Sequence, residues 1–376
     1  MTKLDELIQE LCPDGVEYKE LQEILTIKNG SDYKHLSKGD IPVYGSGGIM
    51  TYVETFSYDK PSVLIPRKGS IDKLYYVETP FWNVDTIFYT DIDSTQIKPK
   101  YLFYCLQREH LEQYNTAGGV PSLTQAVLNK VQIPVPPLPV QREIVRILDN
   151  FAELTAELTA ELTAELTARK KQYEFYRDKL LTFGDVQVGV TSDVIWRALG
   201  EVCKISAGGD APKDSMSKQK TEKYSVPIIS NGIGENALYG YTDAPKVEEP
   251  AVTVAARGTI GYAEYRDYPF YPIIRLLTAI PKDSTIVNTK YLYYCLQGKQ
   301  YSVPMGGIPQ LTAPELKKVE IPIPSLDVQN RIVQVLDNFD AICTDLSSGL
   351  PAEIEARQKQ YEYCRDKLLT FKTMSN

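Results

Sequence analysis

The sequence predicts an α+β protein that contains two copies of one globular α/β module, each followed by a long helix. The segment ARKKQYEFYRDKLLTF (168–183) matches ARQKQYEYCRDKLLTF (356–371) at thirteen of sixteen positions, and their offset of 188 residues is half of the 376-residue chain. The same offset aligns VQREIVRILDNF (140–151) with VQNRIVQVLDNF (328–339). An offset of 190 aligns KYLFYCLQ (100–107) with KYLYYCLQ (290–297). Chance does not produce these matches, so the chain is an internal duplication.

The globular part of the first module is predicted to contain short strands of a mixed sheet, because short apolar runs lie between turn residues. The runs are IPVYGSGG (41–48), SVLIPRKGS (62–70), KLYYVET (73–79) and NVDTIFYT (83–90). A helix is predicted over residues 100–110, a short helix capped by Thr124 follows, and prolines keep VQIPVPP (131–137) extended.

The second module repeats this order. The matching segments are VPIISNG (226–232), VTVAARGTI (252–260), GGIPQLTAPEL (306–316) and VEIPIPS (319–325). In the third segment, Thr312 and Glu315 form a predicted capping box, which marks a helix start.

Long helices are predicted over residues 138–183 and 326–371. In the first, Ile144, Ile147, Leu148 and Phe151 form an apolar stripe. A tract of TAEL units (151–168) follows, with Leu154, Leu158, Leu162 and Leu166 on one face and Ala152, Ala156, Ala160 and Ala164 on the opposite side. In the second helix, Gly349-Leu350-Pro351 is expected to kink the chain or to end one helix and start another.

The repeat also predicts the overall arrangement. The first helix leads from module 1 to module 2, so the second should return, and the two should pack as an antiparallel pair with the globular domains at opposite ends. Because residues 183–202 correspond to residues 10–24, a pseudo-two-fold and nearly circular fold is expected. The predicted domains are residues 1–137, a central helix 138–183, residues 184–325 and a C-terminal helix 326–376.

Composition limits the function. The net charge is −8, which disfavours non-specific DNA binding by the chain alone. The N-terminus is polar and no apolar run approaches the length of a membrane span, so a cytoplasmic protein with reduced cysteines is expected. Two histidines, His35 and His110, leave little for a zinc site or a His-based triad. No phosphate loop, metalloprotease or nucleophile-elbow motif is present, so we expect a non-catalytic protein without a cofactor.

Two similar domains held apart by a rod resemble a caliper, and duplex DNA converts distance into base pairs. One TAEL unit adds about 6 Å and about 40° to a helix, whereas one base-pair step rotates about 34–36°. We therefore hypothesise that adding or removing one unit changes the spacing between two half-sites by about one base pair. The alternative is a bivalent scaffold that holds two identical protein or glycan ligands and has no DNA role.

The duplicated R-x-K-Q-Y-E-[FY]-x-R-D-K-L-L-T-F helix ends, the proline-led helix starts and the TAEL tract resemble the specificity subunit of type I restriction–modification enzymes over essentially the whole chain. The resemblance implies two target recognition domains, each reading one half of a bipartite sequence in double-stranded DNA. It also implies helices that dock two methyltransferase subunits, which carry S-adenosylmethionine, and restriction-translocase subunits that join them. The resemblance does not indicate which bases are read.

Paired turns supply the candidate DNA-binding residues, because glycine permits close approach, Arg binds guanine or phosphate, and Ser or Thr binds phosphate. They are Arg67, Lys68, Gly69 and Ser70; Ser46 and Gly47 within 44–48; Arg257, Gly258 and Thr259; Asn231 within 230–232; and Lys218 and Lys220, which cluster with Lys213 and Lys223. For each turn, a plain surface turn is the alternative.

The identical polar residues of the two helix ends are candidates for partner binding, because they would serve two copies of one partner. They are Gln172, Tyr173, Arg177 and Lys179, with Gln360, Tyr361, Arg365 and Lys367. An internal contact between helix and domain is the alternative.

Overall fold

A computed structural model describes residues 2–115, 118–183, 194–301, 309–344 and 349–374. Contacts divide the chain into two compact units. One comprises Met1–Leu162 and Glu353–Asn376, and the other comprises Thr163–Ala352. Each unit therefore contains one globular module together with parts of the long helices.

The described elements combine helices with runs of consecutive short strands, in agreement with the α+β prediction. The helices are α1 (Lys3–Leu11), α2 (Leu21–Ile24), α3 (Pro99–Arg108), α4 (Gln125–Leu128), α5 (Leu138–Thr182), α6 (Leu199–Val202), α7 (Thr289–Leu296), α8 (Ala313–Lys317), α9 (Leu326–Thr344) and α10 (Leu350–Leu368). Short 3-10 helices lie at Leu111–Tyr114, Lys213–Ser215 and Gly234–Ala237.

The first module contains nine of the strands, and the second contains the other ten that the structure describes. The first nine are β1 (Tyr18–Glu20), β2 (Leu25–Asn29), β3 (Ile41–Gly45), β4 (Gly48–Val53), β5 (Ser62–Pro66), β6 (Tyr75–Val77), β7 (Trp82–Asn83), β8 (Ile87–Ile92) and β9 (Gln132–Pro134). The others are β10 (Ile195–Ala198), β11 (Cys203–Ala207), β12 (Met216–Ser217), β13 (Val226–Ile229), β14 (Leu238–Thr242), β15 (Ala251–Val254), β16 (Ala263–Arg266), β17 (Tyr271–Pro272), β18 (Leu277–Pro281) and β19 (Glu320–Ile323).

Each module folds its strands into two main sheets, so the prediction of one mixed sheet is wrong. In the first module, β2-β8-β5-β6 is antiparallel throughout, and only the small sheet β4-β3-β7 is mixed, because β7 lies parallel to β3. The predicted strand 83–90 is also wrong as one element. A turn divides it into β7 and β8, with the Ile87 N–H donating to the Val84 carbonyl at 3.1 Å.

The second module repeats these sheets as β11-β18-β15-β16 and β14-β13-β17, with β17 parallel to β13, and adds β12 at the edge of the smaller sheet beside β14. A two-stranded sheet, β1-β9 or β10-β19, adds the predicted extended proline segment to each module. The two copies therefore share one topology, as the sequence repeat predicts.

A buried glutamine fixes the start of the long helix to each module. In the first unit, the Gln141 Oε1 accepts from the Lys98 N–H at 2.8 Å, and its Nε2 donates to the carbonyls of Gln96 (2.9 Å) and Pro136 (2.7 Å). Ile144 and Leu148 of the predicted stripe are fully buried in the core of that unit. This anchoring explains why the proline-led helix starts are repeated.

The second unit uses the same device. The Gln329 Oε1 accepts from the Asn288 N–H at 2.9 Å, and its Nε2 donates to the carbonyls of Ile286 (2.8 Å) and Pro324 (2.9 Å). Within this unit, Tyr176 of α5 stacks on Phe339 of α9 with a ring separation of 5.9 Å.

The long-helix predictions agree with the described elements. The first is α5, and the second is divided into α9 and α10 near Gly349-Leu350-Pro351. In the TAEL tract, Leu158, Leu162 and Leu166 are half-buried while Leu154 is exposed, so the leucine stripe is only partly covered. The predicted cap at Thr124 and the capping box of Thr312 and Glu315 are both present.

Three parts of the sequence predictions lie outside the described residues. They are 184–193 in the segment that corresponds to the N-terminus, 306–308 before Pro309, and 345–348 in the second long helix. None of the helices in the part of the chain that the structure describes has the length and apolar character that a bilayer crossing requires.

Candidate nucleic-acid interface

Turns that are far apart in the sequence converge in the first module. The Gly69 N–H donates to the Pro121 carbonyl at 3.0 Å, and the Leu123 N–H donates to the Arg67 carbonyl at 2.9 Å. A Cβ at Gly69 would lie 3.8 Å from the Ser46 Oγ, so the β3–β4 turn is the next neighbour. We call the described residues 46–47, 67–70 and 121–123 the first loop cluster.

The two cationic side chains of the first loop cluster differ in how many contacts they make within the module. Arg67 lies over the Phe88 ring, 5.2 Å from its centroid, and its guanidinium is 3.5 Å from the Asn29 Oδ1. Lys68 is exposed beside Gly69, whose φ of +78° favours glycine. The cluster therefore presents one free cation, Lys68, among its described residues, and a backbone turn that a ligand can approach closely.

The second module builds the same frame from different residues. The Leu311 N–H donates to the Ala256 carbonyl at 3.0 Å, and Gly258 has a φ of +71°. Asn231 replaces Ser46 in the turn that follows β13. We call residues 231–232, 256–259 and 309–311 the second loop cluster.

Asn231 joins the segments of the second loop cluster through its side-chain amide and its carbonyl. Its Oδ1 accepts from the Ala256 N–H at 3.0 Å, and its Nδ2 donates to the Ile274 carbonyl at 2.5 Å. The Asn231 carbonyl accepts from the Thr259 hydroxyl at 3.1 Å. Both amide groups of this predicted DNA-binding residue are thus used inside the protein.

Two polar residues that the sequence analysis did not name complete this surface. The Gln310 Oε1 accepts from the Arg257 Nε at 3.1 Å and from the Arg275 Nη1 at 2.7 Å. Arg275 lies in YPIIRLL, which contains no turn residue after its proline, so no local pattern predicts the turn that presents it. Gln310 stood in an aligned segment and could have been found from its position there.

The lysines of the loop found only in the second module are exposed. Lys218 donates to the Tyr239 carbonyl at 3.0 Å and lies over the Tyr239 ring at 3.8 Å. Lys223 lies over the Tyr224 ring at 5.0 Å, and Lys213 and Lys220 extend toward solvent. Lys218 directly follows β12, a strand of the sheet whose β13–β14 connection carries Asn231.

At the helix ends, several predicted partner residues make internal contacts. The Tyr173 hydroxyl donates to the Gln297 Oε1, and the Arg177 guanidinium lies against Gly298, where an added Cβ would be 2.9 Å from the Arg177 Nη1. Arg365, the counterpart of Arg177, is only 6% exposed and pairs with Asp366 at 2.8 Å.

The remaining members of this set lie nearer to solvent. They are Lys179, Gln360 and Lys367, which are exposed, and Gln172 and Tyr361, which are half-buried. Tyr173 and Arg177 therefore make contacts between helix and domain within the second unit, and Arg365 is buried, whereas the other five residues stay candidates for partner binding.

Two buried cysteines occupy equivalent positions, one in each module. Burial raises the pKa of the Cys105 and Cys295 thiols to about 12, so both stay protonated and unreactive. Within the described ranges, no group of three or more His, Cys, Asp or Glu residues is placed to hold a metal ion. What the two loop clusters can do is bind, through guanidinium, ammonium, hydroxyl and backbone groups.

Comparison with known proteins assigns this architecture to a family. The sequence profile described as the type I restriction modification DNA specificity domain matches twice, at residues 13–168 and 192–356. The chain belongs to the family of type I restriction–modification specificity subunits. Each match contains one loop cluster, and each extends into a long helix.

The relatives of this specificity subunit described below cover between 76% and 95% of its length. A putative type I specificity subunit of Mycoplasma pneumoniae is 36% identical over 332 residues, covering 86% of this chain and 97% of the relative. A putative type I restriction enzyme specificity subunit of Haemophilus influenzae is 34% identical, covering 95% and 96%. The Escherichia coli EcoR124I/EcoR124II specificity subunit is 32% identical, covering 76% and 75%.

Solved structures share the fold of this specificity subunit. A chain from a structure that describes complex assembly and conformational transition of the type I R-M system superposes with a TM-score of 0.71 at 17% identity, covering 96% of this chain and 98% of that one. The HsdS subunit of Thermoanaerobacter tengcongensis gives a TM-score of 0.51 at 16% identity, with 96% of each chain covered.

Proposed function

We propose that the two loop clusters are the DNA-reading surfaces of this type I specificity subunit, one for each half of a bipartite target. The observation that carries the proposal is the repeated frame with different side chains. The backbone hydrogen bonds of Leu123 and Leu311 are equivalent. At the aligned side-chain positions, Ser46 corresponds to Asn231 and Lys68 corresponds to Arg257. Reading two different half-sites requires a common scaffold with unlike polar groups.

The acidic net charge fits a reader that works within a complex. Non-specific affinity for DNA depends on neutralising phosphates, and a chain of net charge −8 supplies little of it. We infer that partner subunits provide most of the phosphate contacts and that this chain provides the selection of sequence.

The long helices are the proposed docking elements for two methyltransferase subunits, to which restriction-translocase subunits would be added. Exposed and identical residues at equivalent positions, Lys179 and Lys367 foremost, suit two copies of one partner. The helices would also set the distance between the two half-sites through the number of TAEL units.

The catalytic steps are assigned to the partners. We propose that the methyltransferase subunits bind S-adenosylmethionine and methylate adenine, and that this chain contributes no catalytic group and no cofactor. Such a complex would act in the cytoplasm, beside its DNA target.

A genome-wide map of adenine methylation tests the function. Cells that carry this chain with its neighbouring methyltransferase subunit would be compared with cells that lack only this chain. We expect a two-part motif with a fixed unspecified gap, and its loss on deletion. An unchanged map, with the methyltransferase present and active, would contradict the proposal and favour the bivalent scaffold.

A further inference from the structure

We propose that Arg275 and Arg257, aligned by Gln310, read guanine in the half-site that the second module recognises. The inference rests on the proposed function and assigns specificity to residues within it. Arg257 was a candidate from the sequence, whereas Arg275 and Gln310 enter only through the structure. Asn231 is a positioning residue in this arrangement, because its amide is used to hold the surrounding segments together.

These two arginines differ from the others of the second unit. The unit contains seven arginines, all among the described residues, and five pair with a carboxylate: Arg169, Arg177, Arg197, Arg266 and Arg331. For Arg257 and Arg275, no ion pair with a described carboxylate is found. Two guanidinium groups therefore share one neutral acceptor at the surface, with their charge uncompensated within the described part of the chain.

The shared acceptor leaves each arginine with a pair of donors. Arg275 gives its Nη1 to the Gln310 Oε1, which leaves Nε and Nη2, and Arg257 gives its Nε, which leaves Nη1 and Nη2. Two neighbouring donors in one plane match the O6 and N7 acceptors of guanine in the major groove. An amide that is hydrogen-bonded to both groups fixes the planes in which they lie.

The backbone beneath Arg275 is strained. Ile274 and Arg275 have φ angles of +46° and +64°, in the left-handed region that non-glycine residues rarely adopt. The Asn231 Nδ2 holds the Ile274 carbonyl at 2.5 Å and so helps to keep this turn in place. Strain that is held by surrounding contacts concentrates at functional sites. Here it directs the Arg275 side chain toward Gln310.

Comparison of the two modules favours a base contact over a phosphate contact. The positions of Arg257, Arg275 and Gln310 correspond to Lys68, Thr86 and Ser122 in the first module. Phosphates are the same in both half-sites, so residues that bind them could stay alike in both copies. Residues that read bases must differ when the half-sites differ. All three positions change, whereas the backbone hydrogen bonds that build the loops are kept.

The test uses the assembled complex of this chain with its methyltransferase subunits. Methylation would be measured on a DNA library in which every position of both half-sites is randomised, at several salt concentrations. The variants are Arg275→Lys, Arg257→Lys and Gln310→Ala, each checked for assembly of the complex. Arg197→Lys is the matched control, because that arginine is exposed and pairs with Glu201 away from the cluster.

We expect each arginine variant to lose about 10- to 100-fold in preference for guanine at one position of one half-site. The other half-site, the Arg197→Lys control and the salt dependence should stay as in the wild type. Gln310→Ala should weaken the preference at both positions, because it frees both guanidiniums. An equal loss over all sequences with a shallower salt dependence would identify phosphate contacts and overturn the inference.

Two further outcomes would also overturn it: a half-site of the second module without a G·C pair, or unchanged preferences in variants that assemble. Failure of the proposed function is distinguishable, because the wild-type complex would then give no bipartite motif at all. If a lysine variant does not assemble, Arg275→Gln provides a second variant for the same measurement.

Discussion

Asn231 was predicted to bind DNA because of its polar side chain, but its amide makes hydrogen bonds that stabilise the fold. Its amide is shared between Ala256, which is fully buried, and Ile274, whose carbonyl it holds. The sequence placed Asn231 correctly in a turn. It could not show that both amide groups are occupied, because their partners lie 25 and 43 residues away.

Asn231→Ala should destabilise the second unit by about 1–3 kcal/mol, because the buried Ala256 N–H loses its acceptor. The free energy of unfolding, measured with denaturant, would show the change. Asn236→Ala, at an exposed position in the same β13–β14 connection, serves as control and should change it by less than about 0.5 kcal/mol. Equal effects of both substitutions would contradict the structural role of Asn231.

Asp340 gives a pH-dependent prediction. Its pKa is raised above 3.8 by burial and by the neighbouring Asp337, while Lys290 and the Thr344 hydroxyl oppose the rise. Ionisation of this carboxyl therefore costs stability, and the cost appears as pH increases from 3.8 through the folded pKa and is complete above it. Asp340→Asn should remove that cost.

The expected gain from Asp340→Asn is present at pH 7 and absent near pH 3. It should stay below about 1.4 kcal/mol, the equivalent of one pKa unit, because the side chain is half-exposed and screened by solvent. Unfolding curves at the two pH values would measure it. A gain of the same size at both pH values would show that the charge of Asp340 is not its cause.

At the scale of single elements, the buried glutamines at the starts of α5 and α9 have the largest predicted effect. Gln329 satisfies three backbone groups, those of Asn288, Ile286 and Pro324, and is fully buried. Gln329→Leu should therefore destabilise the second unit by about 2–4 kcal/mol, since those groups would lose their partners.

Denaturant unfolding would measure the effect, and Gln334→Leu on the exposed side of the same helix is the matched control. Gln141→Leu should have the same effect in the first unit, because its three hydrogen bonds are equivalent. A cost below about 0.5 kcal/mol at both positions would refute the anchoring role.

The helices were predictable because their signals are local. Apolar spacing, Ala-Glu-Leu composition and the capping box of Thr312 and Glu315 lie within a few residues of the elements that they define. The division of 83–90 into β7 and β8 was not predictable in this way. It arises because β7 pairs with β3 in the small sheet whereas β8 belongs to the larger sheet. The paired residues of β3 and β7 lie about 40 positions apart in the sequence. The equivalent turn of the second module, between β17 and β18, is the one that presents Arg275.

At the scale of the whole molecule, the fold class and the family could be predicted from the duplication, because the repeated segments show that both halves have the same order of elements. The recognised bases did not follow from it. In our proposal they depend on side chains such as Arg275 and Gln310, which differ from their counterparts in the first module and lie 35 residues apart in the sequence.

The TAEL tract gives a prediction for the complete subunit. Insertion of one further four-residue unit into 151–168 should lengthen the gap between the two half-sites by about one base pair. Both half-sites should stay unchanged, because the two loop clusters that we propose to read DNA are untouched. Methylation maps of the wild-type and inserted chains would show the gap directly. A change of two base pairs, or none, would contradict the hypothesis, and a four-residue substitution of equal length is the control.

The backbone hydrogen bonds that build both loop clusters also have an evolutionary consequence. Main-chain groups hold the loops, together with the Asn231 amide in the second module. The side chains at 68, 86 and 122 or at 257, 275 and 310 are therefore free to change while the chain still folds. A few substitutions at these positions can then change the DNA sequence that the subunit recognises. The partner subunits that we propose for this chain would then act at the new target without any change in their own genes.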